Sequence, residues 1–230
     1  MNVLIGREVS GVVREAFVRA GHFAVSADLK PAPKGSDPHE LHYHGDVWDL
    51  IREPWRMIPG GDPARGGAAG GWDLGIFHPE CTYLTCSAEW AYGPGPYHQN
   101  VKPGTLTGKA RQLARAQAYE FFMGLWNCGI PRIAIENPVG VMSRLFRKPD
   151  QIIQPYQFGH DASKATCLWL KGLPKLRPTQ MIEPRMVNGK PRWANQTDSG
   201  QNRLSPSDTR AGDRARTYEG IAQAMASQWG

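Results

Sequence analysis

The stretch Val3-Leu4-Ile5-Gly6, then Ser10-Gly11-Val12-Val13-Arg14-Glu15-Ala16-Phe17-Val18-Arg19-Ala20-Gly21, then Phe23-Ala24-Val25-Ser26-Ala27-Asp28 decides the fold. The first run is short and wholly apolar. In the second, Val12, Val13, Ala16, Phe17 and Ala20 recur at helical spacing until Gly21 stops them. The third is apolar again and ends at Asp28, with Pro31 and Pro33 preventing continuation. Strand, turn, helix and strand in that order open a parallel α/β sheet. The pattern repeats downstream: Trp72 to Phe77 reads as a buried strand, Lys109 to Cys128 as a helix ended by Gly129, and Arg132 to Ile135 as a further strand. The expectation is one doubly wound, mostly parallel sheet in a single domain over residues 1–230. Ile152 to Phe158 and Thr166 to Leu170 read as two more strands, an antiparallel pair, and Tyr218 to Trp229 as a last helix. Pro59 to Gly71 and Gly93 to Gly108 read as Gly/Pro-rich loops, and Lys171 to Asp208 as a small polar, Pro-rich region.

Composition narrows the function classes. The 230 residues are 40% hydrophobic and 21% charged, enough for one sizeable core. No apolar run approaches the ~18 residues that span a bilayer, and the N-terminus lacks a basic segment followed by a long apolar one. The expectation is a cytoplasmic protein with no membrane partner. The four cysteines have no C-x-x-C pairing, and His39, His42, His44 and His78 follow no ligand spacing, so neither a disulfide framework nor a metal site is expected. A net charge of +6 favours a polyanionic partner.

Two residues stand where open α/β sheets do chemistry, at the carboxyl ends of strands. Cys81 follows the apolar strand through His78-Pro79-Glu80, positioned either as a nucleophile or as a small half-buried hydrophobe. Glu136 ends the next strand and is followed by Asn137 and Pro138. The two converge on one site if their strands are neighbours. Asp28, after the second strand, is placed to receive ribose hydroxyls, and Asp46 to receive an adenine amino group or to cap a helix. The first turn, Gly6-Arg7-Glu8-Val9-Ser10-Gly11, lacks Gly-x-Gly-x-x-Gly, which favours a cofactor without phosphates.

These residues resemble the cytosine carbon-5 DNA methyltransferases, and in particular the short phage-type members of that family. Val3 to Phe17 resembles the turn that holds the methionine part of S-adenosylmethionine, with Glu8, Ser10 and Gly11 in its loop. Asp28 resembles the ribose-binding acid and Asp46 the adenine contact. His78-Pro79-Glu80-Cys81 resembles the Pro-Cys catalytic motif, with Glu80 where the common form has a second Pro, and Pro79 is carried over with it as a cofactor contact. Ile135-Glu136-Asn137-Pro138 resembles the Glu-Asn-Val motif. Phe158 to Trp169 is similar to the segment that carries Gln and two Arg, with Lys164 as its basic counterpart, and Arg216 to Ala222 to the motif that opens the final helix. The family's large target-recognition region has only Lys171 to Asp208 as its counterpart here.

The resemblance implies an S-adenosylmethionine-dependent transferase acting on DNA, in a bacterial host cell if phage-encoded. Cys81 adds to carbon 6 of cytosine, Glu136 binds the ring edge, and Asn137 holds the strand-end loop. The base is flipped out or already single-stranded, and Gly93 to Gly108 serves as a lid. Two other outcomes remain open: a catalytically silent DNA-binding relative, and transfer to free pyrimidine nucleotides. Positive charge gathers late in the chain, where Lys164, Lys190 and Arg192 are candidate phosphate contacts and Trp193 a candidate for base stacking. The alternative there is a solvated charged surface.

Overall fold

In the computed structural model, residues 1–58, 71–97, 101–203 and 216–230 are described. Residues 59–70, within the first expected loop, 98–100 of the second, and 204–208 of the polar region lie outside them. The chain order is β1 (Asn2–Gly6), α1 (Val12–Arg19), β2 (Phe23–Asp28), β3 (His42–His44), α2 (Val47–Arg52), β4 (Leu74–Phe77), α3 (Gly108–Trp126) and β5 (Arg132–Pro138). It continues with α4 (Met142–Leu145), β6 (Gln151–Ile153), β7 (Thr166–Lys171), β8 (Arg185–Val187), β9 (Lys190–Arg192) and α5 (Glu219–Trp229). Among the described residues seven strands form one sheet in the order β3-β2-β1-β4-β5-β7-β6. The pairings from β3 through β5 are parallel; β7 runs antiparallel to both β5 and β6.

Alternation along the strands divides the core between the two faces. Val3 and Ile5, Leu74 and Ile76, Ala134, and Leu168 and Leu170 face α1 and α5, whose Val13, Phe17, Ile221, Ala222 and Met225 cover them. Leu4, Phe77, Ile133, Ile135 and Trp169 face the other way, against Val47 and Leu50 of α2 and Phe122 and Leu125 of α3. The architecture is therefore the doubly wound, mostly parallel α/β sheet expected from the sequence. No described helix is long and apolar enough to cross a membrane.

One local reading is corrected and one gains detail. The strand expected over Ile152 to Phe158 stops at Ile153, because Pro155 opens a 3-10 turn capped reciprocally by Gln154 and Gln157. The pairing of this short strand with β7 is antiparallel as expected. The polar region after Lys171 contains a hairpin, β8–β9, turned at Asn188-Gly189 with positive φ at both residues, 50° and 71°. Arg14, a charged residue of α1, is fully buried. Its guanidinium donates to Ser26 Oγ at 2.8 Å and to the Ser36 carbonyl at 2.6 Å, and pairs with Asp37 at 3.3 Å. That network anchors the segment following Asp28.

Candidate active site

The site is built on the adjacency of β4 and β5. They are parallel neighbours with Phe77 level with Ile135, so His78 and Glu136, one residue further on, emerge side by side from the carboxyl edge. Both belong to the alternation that faces α5, and His78 Nδ1 lies 3.0 Å from Glu136 Oε2. Asn137 belongs to the opposite alternation and donates from Nδ2 to the Pro79 carbonyl at 3.0 Å, from a buried position. The two strand ends are thus linked on both faces of the sheet. Pro79, carried over as a cofactor contact, is itself buried.

Cys81 follows at the start of a tight turn, its carbonyl accepting from Leu84 N and Thr85 N, both at 3.0 Å. The turn is clamped in place, since Val141 N donates to Leu84 O at 2.8 Å and Thr85 bridges to Gly140. Only glycine fits at 140, where a Cβ would sit 2.0 Å from the Leu84 carbonyl oxygen. Cys81 is exposed at the edge of the sheet. By contrast Cys167 is buried, its thiol pushed up to about 11 by desolvation, and burial also raises Cys128. Those two are poor nucleophiles at neutral pH.

The ion pair is electrostatically coherent. Burial by itself disfavours the charge on His78, but the hydrogen bond and charge of Glu136, with Glu8 beyond it, outweigh burial and raise its pKa. Burial likewise opposes ionisation of Glu136, yet His78, Lys164 and a hydrogen bond from Thr217 hold its carboxyl below the ordinary value. Lys164 therefore sits beside the site, its Nζ also donating to the Arg216 carbonyl at 3.4 Å. Thr217, buried just ahead of α5, joins the site from outside the expected residues; its place within the motif opening the last helix is the signal in the sequence that points to it. His78 likewise joins the site from outside the expected catalytic residues, although it opens the motif leading to Cys81. No grouping of side chains able to hold a metal occurs among the described residues.

Apart from Pro79, the expected cofactor residues follow the ends of β1, β2 and β3 along the same edge. Glu8 is buried and caps α1: its Oε1 accepts from Val13 N at 2.9 Å and from Ser10 Oγ at 3.0 Å. Gly11 turns the chain into that helix with φ 71°, a left-handed conformation suited to glycine. A carboxylate of the chain already occupies the positive end of α1, so this turn suits a group without phosphates, as read from the sequence. Asp28 Oδ1 accepts from Lys30 N at 2.9 Å, and Asp46 Oδ1 caps α2 by accepting from Trp48 N at 3.1 Å. Two carboxylates at the strand edge suit hydroxyl and amino donors, so the donor set fits an uncharged nucleoside portion. A cavity of about 250 Å³ lies between α1 and α5, lined by Ser10, Gly11, Glu15, Arg19, Arg216 and Glu219; it does not extend to Asp28 or Asp46.

Of the late basic residues, Lys164 is the one that acts on His78 and Glu136. Lys190 and Arg192 are on β9, where Lys190 is exposed and Arg192 donates to the Asp198 and Pro191 carbonyls at 3.0 and 2.9 Å. Trp193 is stacked on Tyr156 with centroids 4.5 Å apart and 15° between planes, so one face of its ring is already covered.

These features define an α/β protein with a cysteine, a glutamate–histidine pair and an asparagine gathered at one carboxyl edge of a doubly wound sheet. Among solved structures, the chain is similar to a prophage-encoded E. coli protein described as a candidate DNA modification methyltransferase, at 15% identity and TM-score 0.46, over 82% of this chain and 53% of that one. It is similar also to the S. pombe Dnmt2 methyltransferase, at 16% identity and TM-score 0.40, over 74% and 48% of the two chains. A triple-alanine variant of Spodoptera frugiperda DNMT2 aligns at 14% identity and TM-score 0.40, over 83% and 57%. The chain spans about half the length of these structures. No protein-family model matches it, and no curated protein does.

Proposed function

We propose that this chain transfers a methyl group from S-adenosylmethionine to carbon 5 of cytosine in DNA, through a covalent bond between Cys81 and the base. The observation that carries the reading is the pairing of β4 with β5, which sets the Cys81 turn and Glu136 at one edge and ties them through His78 and Asn137. Carbon 5 of cytosine is a weak nucleophile. Addition of the Cys81 thiolate at carbon 6 makes it an enamine carbon, which is a strong one. Glu136 binds ring nitrogen 3 and the exocyclic amine, favouring the charge distribution that develops as sulfur adds. Asn137 holds the Pro79 carbonyl and with it the approach of Cys81. Glu8, Ser10, Gly11, Asp28, Asp46 and Pro79 would hold the methyl donor, which when bound supplies an electrophilic methyl on a sulfonium.

Cys81 is exposed while the reacting carbon of a duplex base is stacked inside, so the cytosine is flipped out or unpaired when it reacts. Lys164 beside Glu136 contributes positive charge next to the base site, and Lys190 and Arg192 would engage phosphates at a distance. The same reading places the protein in the cytoplasm, that of a bacterial host cell if the chain is phage-encoded. The test is incubation with methyl-labelled S-adenosylmethionine and unmodified DNA, followed by mass analysis of the nucleosides. Labelled 5-methylcytosine is the expected product. Label on free cytidine nucleotides alone would replace the substrate assignment, and unlabelled cytosine in every substrate would refute the transfer.

A further inference from the structure

We propose that His78 is the proton reservoir for Glu136, a positioning residue that delivers a proton through the carboxylate to ring nitrogen 3 while Cys81 adds to carbon 6. The inference rests on the function proposed above and extends it to a residue that the mechanism has not used.

The geometry sets His78 apart from the other described histidines. His42 has both ring nitrogens engaged, Nδ1 with Ser26 Oγ at 2.9 Å and Nε2 with the Lys30 carbonyl at 2.9 Å, as a histidine serving only structure should. His78 has Nδ1 on Glu136 at 3.0 Å, while Nε2 is buried with no hydrogen-bond partner among the described residues. It stands at the end of β4 three residues before Cys81, on the same strand end that sets the approach of that thiol. The groups that face the ring or its partner come from separate elements. Glu136 projects from β5, Glu8 from the turn after β1, Lys164 from the loop before β7, and Thr217 from the segment before α5. The two glutamates favour the imidazolium and Lys164 opposes it, and the balance lies with the protonated ring.

The chemistry requires such a donor. As the thiolate sulfur forms its bond to carbon 6, the electron pair of the carbon 5–carbon 6 double bond moves into the ring, and nitrogen 3 must take a proton for carbon 5 to become an enamine carbon. Glu136 is held ionised by its neighbours and has no proton of its own to give. In the relay, Nδ1–H of His78 passes its proton to the Glu136 carboxylate, which is thereby transiently protonated and passes that proton on to nitrogen 3. The imidazolium becomes neutral, nitrogen 3 gains one proton, and the carboxylate is unchanged. After carbon 5 has taken the methyl group and lost its own proton to water, the carbon 6–sulfur bond breaks, the thiolate leaves, and nitrogen 3 returns its proton by the same route.

The test is the pH profile of kcat/KM for cytosine methylation in the unaltered protein and in His78→Gln, whose amide still donates to Glu136 but carries no transferable proton. The unaltered protein is expected to lose rate as pH rises above the pKa of His78. His78→Gln is expected to be slower by about 10²-fold at pH 7, and to lack that alkaline limb. A retained limb at the same pH, or full turnover in His78→Gln, overturns the relay and leaves the methyltransferase reading standing. Imidazole nitrogen NMR gives a second measurement that does not depend on turnover. His78 should titrate above 6.5, the ordinary histidine value, and lower in Glu136→Gln; equal titration in both overturns the relay. No methylation by the unaltered protein, with His78 titrating as expected, refutes the methyltransferase reading and the relay with it.

Discussion

The ends of β4 and β5 and the β8–β9 hairpin are both rich in charge, yet they use it in opposite ways. At the strand ends, His78 and Glu136 are mostly shielded, with side chains 14% and 12% exposed, and each is set by the other. In the hairpin, Arg185 pairs with an Asp198 side chain that is 73% exposed, and Arg192 holds backbone carbonyls of its own loop. A shielded pair shifts ionisation and aims reacting groups. An exposed pair contributes roughly 0–1 kcal/mol and leaves the surface free to meet solvent or phosphate. The difference separates a region where single atoms matter from one where only summed charge does.

Substituting Glu136→Gln should break the contrast most severely. Turnover is expected to fall by about 10²–10³-fold in a steady-state methylation assay with the fold retained by circular dichroism, because the amide keeps the shape but loses the charge on the ring edge. Asp28→Ala, at the cofactor end of the edge, should weaken S-adenosylmethionine binding by about 1.5–3 kcal/mol in calorimetry and leave DNA affinity nearly unchanged. Gly140→Ala puts a Cβ against the Leu84 carbonyl and should lower stability by roughly 1–3 kcal/mol in urea unfolding, with a larger loss of turnover than of cofactor affinity. The smallest effect belongs to the hairpin. Replacing Lys190 and Arg192 by Ala should flatten the salt dependence of DNA binding by about two units at most if both touch phosphates. Since Arg192 is engaged with carbonyls, a change nearer one unit would mark Lys190 as the sole contact.

The shielded pair also gives a stability signature. The folded His78 pKa is raised, so its stabilisation is full below the ordinary value of 6.5 and fades as pH rises through the folded value. The folded Glu136 pKa is lowered, so its stabilisation is full above 4.5 and is lost as pH falls through the folded value. The gap in Tm between the unaltered protein and a His78→Gln, Glu136→Gln double variant should therefore be widest between those two values and close on either side.

Much of the sheet was legible because it depends on runs such as Val3 to Ile5 and on the helical period of Val12, Val13, Ala16 and Phe17, which local sequence carries by itself. The short β3, α2 and the β8–β9 hairpin were not, since His42 to His44 has no apolar pattern and becomes a strand only through pairing with β2. Cys81 and Glu136 were visible as strand-end residues, but their convergence required the adjacency of β4 and β5, a property of the topology. The polar partners were hidden for the same reason: Arg14 and Ser26 are distant in sequence, as are Glu136 and Thr217. The stacking of Trp193 on Tyr156 was hidden likewise, because nothing near Trp193 in the chain announces that partner.

Covalent trapping tests the central claim most directly. A duplex carrying 5-fluorocytosine accepts the thiolate at carbon 6 and the methyl at carbon 5, but it cannot release fluorine as a cation, so the cysteine–base bond persists. With S-adenosylmethionine present, intact-protein mass spectrometry should show a protein–DNA adduct that maps to Cys81 on peptide digestion and is absent from Cys81→Ser. Absence of an adduct from a folded protein that binds S-adenosylmethionine, or an adduct on Cys86 instead, would contradict the account.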